Sequence, residues 1–267
     1  GTEIQTLSLV KVLTTAGHTV TTVCYFEHTP TMTGLYEQAG CRVVCLSAEG
    51  RRPQGVWPTV LLLLRGLRRV VRREKPDVAH VQYMAPGAIP IVMLRLLGVK
   101  RLVATAHTAA DIYSPRGLRL VRLLQRHVLT VFTCISERAE QSFFGSSSIY
   151  SSQTLLDRLG NHFTIYNCLP DAIQAAKEGR TFGQQLTIGV VSRLEQIKGM
   201  DLVVPAFVRI RKHFPDVRLL VVGDGSLRTE MERQAKEAEL AESASFVGRI
   251  RQDRPGSYGV VRDLTVG

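Results

Sequence analysis

The chain has 267 residues, 45% of them hydrophobic and 21% charged, with a formal net charge of +11. That length buries a substantial core in one large domain or two smaller ones, and that composition excludes wholesale disorder. The positive balance lies mostly before Pro170 and attracts anionic partners: nucleic acid, anionic lipid head groups or phosphorylated substrates.

Five cysteines, Cys24, Cys41, Cys45, Cys134 and Cys168, include no CxxC pair and sit in apolar, strand-like runs. An odd count without a framework predicts buried thiols in a reducing compartment. Residues 1–16 are amphipathic rather than continuously apolar, so no signal peptide is expected. The apolar run 88–99 is interrupted by Arg95 and is too short to span a bilayer. The expected location is cytoplasmic.

In chain order, Ile4, Leu7 and Val10 recur at helical spacing before Gly17. Residues 19–26 are a β-branched run and read as a strand. A helical segment around 35–39 ends at Gly40, and 42–46 is the next strand. The spacing predicts a strongly amphipathic helix over 57–75. Val60, Leu63, Leu64, Leu67, Val70 and Val71 share one face, and Arg65, Arg68, Arg69 and Arg72 gather on another. Such a helix covers a sheet with a solvated basic face, and its charge density also favours an anionic bilayer surface. Pro76 stops it. A short buried strand over 77–81, a helix over 87–97 and a strand over 101–106 follow.

That strand delivers His107 to the carboxyl end of a parallel sheet, where ligands of such sheets sit; a lone histidine at such a place is more often structural. A helix over 116–127, a strand over 129–134, Ser136 as an N-cap and a strand over 163–166 complete the first half. Residues 169–184 lack a sustained pattern and read as a linker between domains 1–168 and 185–267. Alternation then restarts with strand 186–191, a helix from about Met200 to His213 and strand 217–222. Gly223-Asp224-Gly225-Ser226, a helix to about Glu239 and strand 245–247 follow. Arg193 and Lys198 lie between a strand end and a helix that Gly199 permits to start. Such a place suits a phosphate, because unpaired N–H groups and full cations coincide there. An ordinary βα turn with two solvated cations has the same local pattern.

The ordered set Val191-Ser192-Arg193-Leu194, Lys198-Gly199-Met200-Asp201, Ala206-Phe207, Val221-Val222-Gly223-Asp224-Gly225 and Phe246-Val247-Gly248-Arg249 resembles retaining GT-B glycosyltransferases of the family 4, group 1 type. Gly1-Thr2-Glu3 is similar to the end of that family's GG-x-E loop. Ala104-Thr105-Ala106-His107 is similar to the strand carrying its active-site histidine. The resemblance implies an α/β fold of two Rossmann-like domains with parallel sheets. It also implies transfer of a sugar from a UDP-, GDP- or ADP-sugar to a glycan or lipid-linked acceptor, with retention.

By the same resemblance Arg193 and Lys198 hold the donor diphosphate, and His107 contacts the transferred sugar. Gly1 lies beside the donor phosphate, Gly223 and Gly225 lie near the ribose and base, and Arg249 and Ile250 read the base. No cofactor and no metal are expected, and no nucleic-acid partner, while peripheral contact with an anionic membrane stays open. Ser192 stands where the family pattern has glycine. The pattern's first strand would precede Gly1, and its paired glutamates would follow Gly267, so the second domain is expected to be incomplete and turnover by this stretch alone is not expected. A GT-B phosphorylase, a sugar-nucleotide epimerase or a non-catalytic nucleotide- or polyanion-binding module remain as alternatives.

Overall fold

A computed structural model describes residues 2–82, 84–151, 160–168 and 186–250. The chain divides into two compact units, Gly1–Cys168 and Leu169–Gly267. Gly1 and the whole 169–184 segment lie outside the described residues.

The first unit alternates helix and strand: α1 Thr2–Thr15, β1 Thr21–Cys24, α2 Pro30–Gln38, β2 Arg42–Cys45, α3 Val56–Glu74 and β3 Val78–Gln82. It continues with α4 Met84–Leu96, β4 Arg101–Ala106, α5 Pro115–His127, β5 Val131–Cys134, α6 Glu137–Phe144 and β6 His162–Thr164. Every strand pair is parallel, as crossover helices require. The strands form a pair β1-β2 and a four-stranded sheet β3-β4-β5-β6.

Local signals set the boundaries. Thr29 caps α2, its hydroxyl accepting from the Met32 N–H, with Pro30 at the first helical position. This Thr-Pro start puts α2 five residues earlier than apolar spacing suggests. Ser114 caps α5 in the same way. Ser136 caps α6, accepting from Ala139 N at 3.3 Å, and Gly145 ends that helix in the left-handed region at φ 78°.

The first core gathers Leu63 and Leu67 of α3, Ile91 and Leu94 of α4, Leu102 and Ala104 of β4, and Phe132 and Phe143. Phe132 and Phe143 are fully buried and meet edge to face at 5.6 Å between ring centroids. Burying each contributes roughly 1.5–3 kcal/mol. Within α3 only Leu63, Leu67 and Thr59 are buried; Leu64, expected inward, is exposed. A smaller core of Leu7, Val10, Tyr36 and Cys41 joins α1 and α2 to β2.

Two expectations are corrected here. Strand β3 is not buried: it borders its sheet, only Val81 is inside, and Val78 is 48% exposed. Nor are all cysteines buried. Cys41 and Cys134 are, but Cys45 and Cys168 are exposed and Cys24 is half-buried. Apolar runs alone misjudge both, because exposure at a strand end or sheet edge depends on what packs there.

The second unit holds β7 Thr187–Val191, α7 Val203–Arg211, β8 Arg218–Val222, α8 Arg228–Glu237 and β9 Ala244–Gly248, with sheet order β7-β8-β9, all parallel. Its core joins Leu194, Val204, Phe207, Leu219, Val221 and Met231. Gly199 does not open a helix. It sits in the left-handed region at φ 66° between two 3₁₀ turns, Gln196–Lys198 and Met200–Leu202, and α7 starts only at Val203.

Candidate active site

In the first unit, the carboxyl ends of β3, β4 and β5 carry a polar network. Gln82, last in β3, pairs in register with Thr105 of β4, and His107 follows two residues beyond Thr105. The Gln82 Oε1 accepts from His107 Nε2 at 2.9 Å, which places the ring hydrogen on Nε2. His80 Nε2 meets the Thr105 hydroxyl at 2.7 Å, and Thr105 meets Thr133 at 2.7 Å. Both imidazoles are disfavoured as cations. Burial lowers His107 below its ordinary 6.5. His80 is lowered to about 4, first by burial and then by His107. His80 keeps an exposed flank at the sheet border, yet its nitrogens lie against Thr105 and Gln82. A neutral, positioned His107 hydrogen-bonds without adding charge to the site.

In the second unit, the loops after β7, β8 and β9 converge at one end of the sheet. Backbone bonds stitch them: Leu194 N to Asp224 O at 3.0 Å, Leu227 N to Leu194 O at 2.9 Å and Gly223 N to Gly248 O at 2.8 Å. The close approach explains the glycines. A Cβ on Gly223, at φ 148°, would stand 1.8 Å from the Ser192 carbonyl oxygen, and one on Gly225 would stand 2.5 Å from that of Leu194. Leu194 is 1% exposed and anchors the loop, leaving its neighbours Arg193 and Glu195 outside. Glu195 is held by Ser226, accepting from its N–H at 3.2 Å and its hydroxyl at 2.6 Å. These bonds lower the Glu195 carboxyl below its ordinary value.

Arg193 and Lys198 are exposed on the β7 loop, and Arg249 is exposed just past β9. Among the described residues none of the three takes part in a salt bridge, whereas Arg228 and Arg233 of α8 are each tied to carboxylates. Ile250 follows Arg249, half-buried. The second unit thus brings Arg193, Lys198, Gly223, Gly225, Arg249 and Ile250 to one sheet end, and the first unit places His107 at another.

Sequence reasoning missed Gln82, His80, Glu195 and Ser226. For the first two, the signal was present in part: His80 and Gln82 alternate on β3, so they share a face, and the parallel register sets Gln82 opposite Thr105 and His80 opposite Val103. It also missed a groove of about 450 Å³ between β2 and α3, lined by Val44, Leu46, Pro58, Leu61, Arg65 and Arg69. Among the described residues no three His, Cys, Asp or Glu side chains are grouped to hold a metal, and no helix is long and apolar enough to cross a membrane.

Residues 172–265 match the family described as Glycosyl transferases group 1. The phosphatidylinositol N-acetylglucosaminyltransferase gpi3 subunit of Schizosaccharomyces pombe is 25% identical over 74% of this chain and 41% of its own length. A GDP-mannose-dependent alpha-(1-6)-phosphatidylinositol monomannoside mannosyltransferase from Mycolicibacterium smegmatis is 24% identical over 78% of this chain and 56% of its own. The chain therefore spans about half the length of these curated relatives. A glycosyltransferase structure from Rickettsia africae superposes with a TM-score of 0.63 at 14% identity, covering 94% of this chain and 65% of that one, a likeness of fold. Residues 1–144, more than half of the chain, match the description Glycosyltransferase Family 4, and the chain belongs to this family 4, group 1 class of GT-B glycosyltransferases.

Proposed function

We propose that the protein transfers a hexose, with retention, from a nucleotide-sugar to a phosphoinositol-containing lipid at an anionic membrane surface. The observation that carries this reading is the loop cluster at the end of β7-β8-β9. There Arg193 and Lys198 stand exposed beside backbone brought close by Gly223 and Gly225, while the intervening carboxylate of Glu195 is engaged by Ser226. Cleaving the sugar–phosphate bond raises the negative charge on the departing diphosphate. Fixed cations there stabilise the transition state more than the ground state. Arg249 and Ile250 would face the base, and Gly1 the donor phosphate. Neutral His107, held by Gln82, would orient the sugar by hydrogen bonding. Attack from the leaving-group face would preserve the anomeric configuration.

For the acceptor, the support is the pair of relatives whose names contain phosphatidylinositol, together with α3. That helix exposes Trp57 at 82% and Leu61 at 45%, and carries Arg65, Arg68, Arg69, Arg72 and Arg73 on its outer side. Apolar side chains beside a dense basic face suit an anionic head-group layer.

The test, made on the sequence extended at both ends, is calorimetric titration with UDP, GDP and ADP, followed by incubation of the matching labelled sugar nucleotide with phosphatidylinositol vesicles. One nucleotide should bind, and labelled lipid with the donor's anomeric configuration should form. Binding of none of the three overturns the donor site. Conversion of the sugar nucleotide without an acceptor replaces transfer by epimerisation, and inversion overturns the retaining mechanism. Flotation with anionic vesicles that survives charge reversal at Arg68 and Arg72 overturns the role of α3.

A further inference from the structure

The register of the β1-β2 pair sets two thiols side by side: Cys24, last in β1, is directly opposite Cys45, last in β2. In-register neighbours of a parallel pair project to the same face, with their backbones about 4.8 Å apart. That lies inside the Cα separation of roughly 4.4–6.8 Å that a disulfide bridges. The two thiols also differ in access. Cys45 is exposed, whereas Cys24 is half-buried. A third cysteine, Cys41, just before β2, is buried and already occupied: its sulfur lies 3.0 Å from the Thr22 hydroxyl and 3.3 Å from the Arg42 carbonyl oxygen.

We propose that Cys24 and Cys45 form a reversible redox dithiol, oxidised to an intramolecular disulfide by exchange with a small disulfide. With oxidised glutathione, the Cys45 thiolate attacks one sulfur of the reagent. The reagent's S–S bond breaks, one glutathione leaves as thiolate, and a mixed disulfide remains on Cys45. Cys24 then attacks the Cys45 sulfur, the mixed disulfide breaks and the second glutathione leaves. Two protein thiols lose two electrons and two protons, and one glutathione disulfide gains them as two thiols. The order of attack follows from access and acidity. The Cys24 thiol is pushed up to about 11, mainly by burial and then by the neighbouring Cys45, so it resolves rather than initiates.

Geometry argues for reversibility. Residues directly opposed on parallel strands hold their Cβ atoms farther apart than the roughly 3.8 Å that an unstrained bridge prefers. A bridge here draws the strand ends together, and a strained bridge is more readily reduced. Cys24 also lies near an element junction: it interacts electrostatically with Glu3 of α1 and with Tyr36 of α2, whose hydroxyl donates to the Glu3 carbonyl at 3.0 Å. Closing the bridge would therefore slow amide exchange in β1 and β2 beneath the first turn of α1. This inference is independent of the transferase reading.

The test treats the folded full chain with oxidised glutathione, then alkylates, digests and maps it by mass. The expected product is a Cys24–Cys45 linked peptide lighter by two hydrogens, with Cys41 and Cys134 still alkylatable after unfolding, and reversal by dithiothreitol. Cys24→Ser should retain the glutathione adduct on Cys45, raising its amount on the order of tenfold over the unmodified chain. Cys45→Ser should leave Cys24 reduced. A glutathione adduct on Cys45 that persists in the unmodified chain overturns the proposal, as does a bridge involving Cys41 or failure of both thiols to react. The unmodified chain carries the decisive measurement, so a misfolded variant does not blunt it.

Discussion

The amide oxygen of Gln82 lies 2.9 Å from Nε2 of His107, joining the last residue of β3 to the residue after β4. This bond fixes which ring nitrogen bears the hydrogen and which way the ring faces. Gln82→Leu removes the acceptor at nearly constant volume. In the sequence extended at both ends, lipid product formed per unit time should then fall by one to two orders of magnitude, about 1–3 kcal/mol for a positioning hydrogen bond, with little change in nucleotide affinity. Equal loss of both in a titration and a turnover assay would refute a positioning role.

The same network makes stability depend on pH. His80 and His107 both have folded values below the ordinary 6.5. As pH falls below that value, the unfolded chain takes protons that the folded chain refuses, so stability declines, for His80 down to about 4. Urea unfolding at about pH 7 should give a higher free energy than at about pH 5, and His80→Gln should shrink the difference. An unmodified chain equally stable at both pH values would contradict the neutral state of these rings in the folded chain.

Arg193 and Lys198 are exposed and outside any salt bridge among the described residues. Replacing either by alanine should leave the melting temperature nearly unchanged, because surface substitutions stay within about 0.5 kcal/mol. Each should weaken nucleoside diphosphate binding by about 1–3 kcal/mol, the range of a hydrogen bond to a charged group. Calorimetry with nucleoside monophosphate and diphosphate gives the contrast: loss confined to the diphosphate supports the assignment, and equal loss for both removes it.

Gly223 tests the loop stitching. Gly223→Ala forces a Cβ to 1.8 Å from the Ser192 oxygen at a φ of 148°, so the β7 and β8 loops must separate. The cost should reach roughly 3 kcal/mol or more in the unfolding free energy measured with urea. Gly189→Ala in the middle of β7, where nothing lies within 4 Å, should be neutral or mildly stabilising. Similar effects for the two substitutions would argue against the contact.

Glu140 is fully buried and accepts from His162 Nδ1 at 2.6 Å, Thr164 Oγ1 at 2.6 Å and Ser148 N at 3.1 Å. Glu140→Ala strands three donors around a cavity and should cost about 3–5 kcal/mol by urea denaturation. Glu140→Gln keeps the shape and an acceptor and should cost visibly less. The reverse order would mean that neither the hydrogen bonds nor the filled volume sets the loss.

The sequence by itself determined the alternation of helices and strands, the capping at Ser136 and the strand that leads into His107. Each rests on short-range physics: apolar period, turn chemistry and the conformational freedom of glycine. It also pointed to the cluster after β7, because strand, cations and helix lie contiguously there. Tertiary structure alone decided which distant residues meet. Parallel register put Gln82 beside His107 and Cys24 opposite Cys45, across intervals that no local pattern spans. It also exposed Cys45 and Leu64, whose neighbours along the chain suggest burial. The physical reason is that periodicity specifies the faces of an element, whereas contact and exposure depend on which other element covers each face. In this chain, that is settled by the order in which the parallel strands assemble.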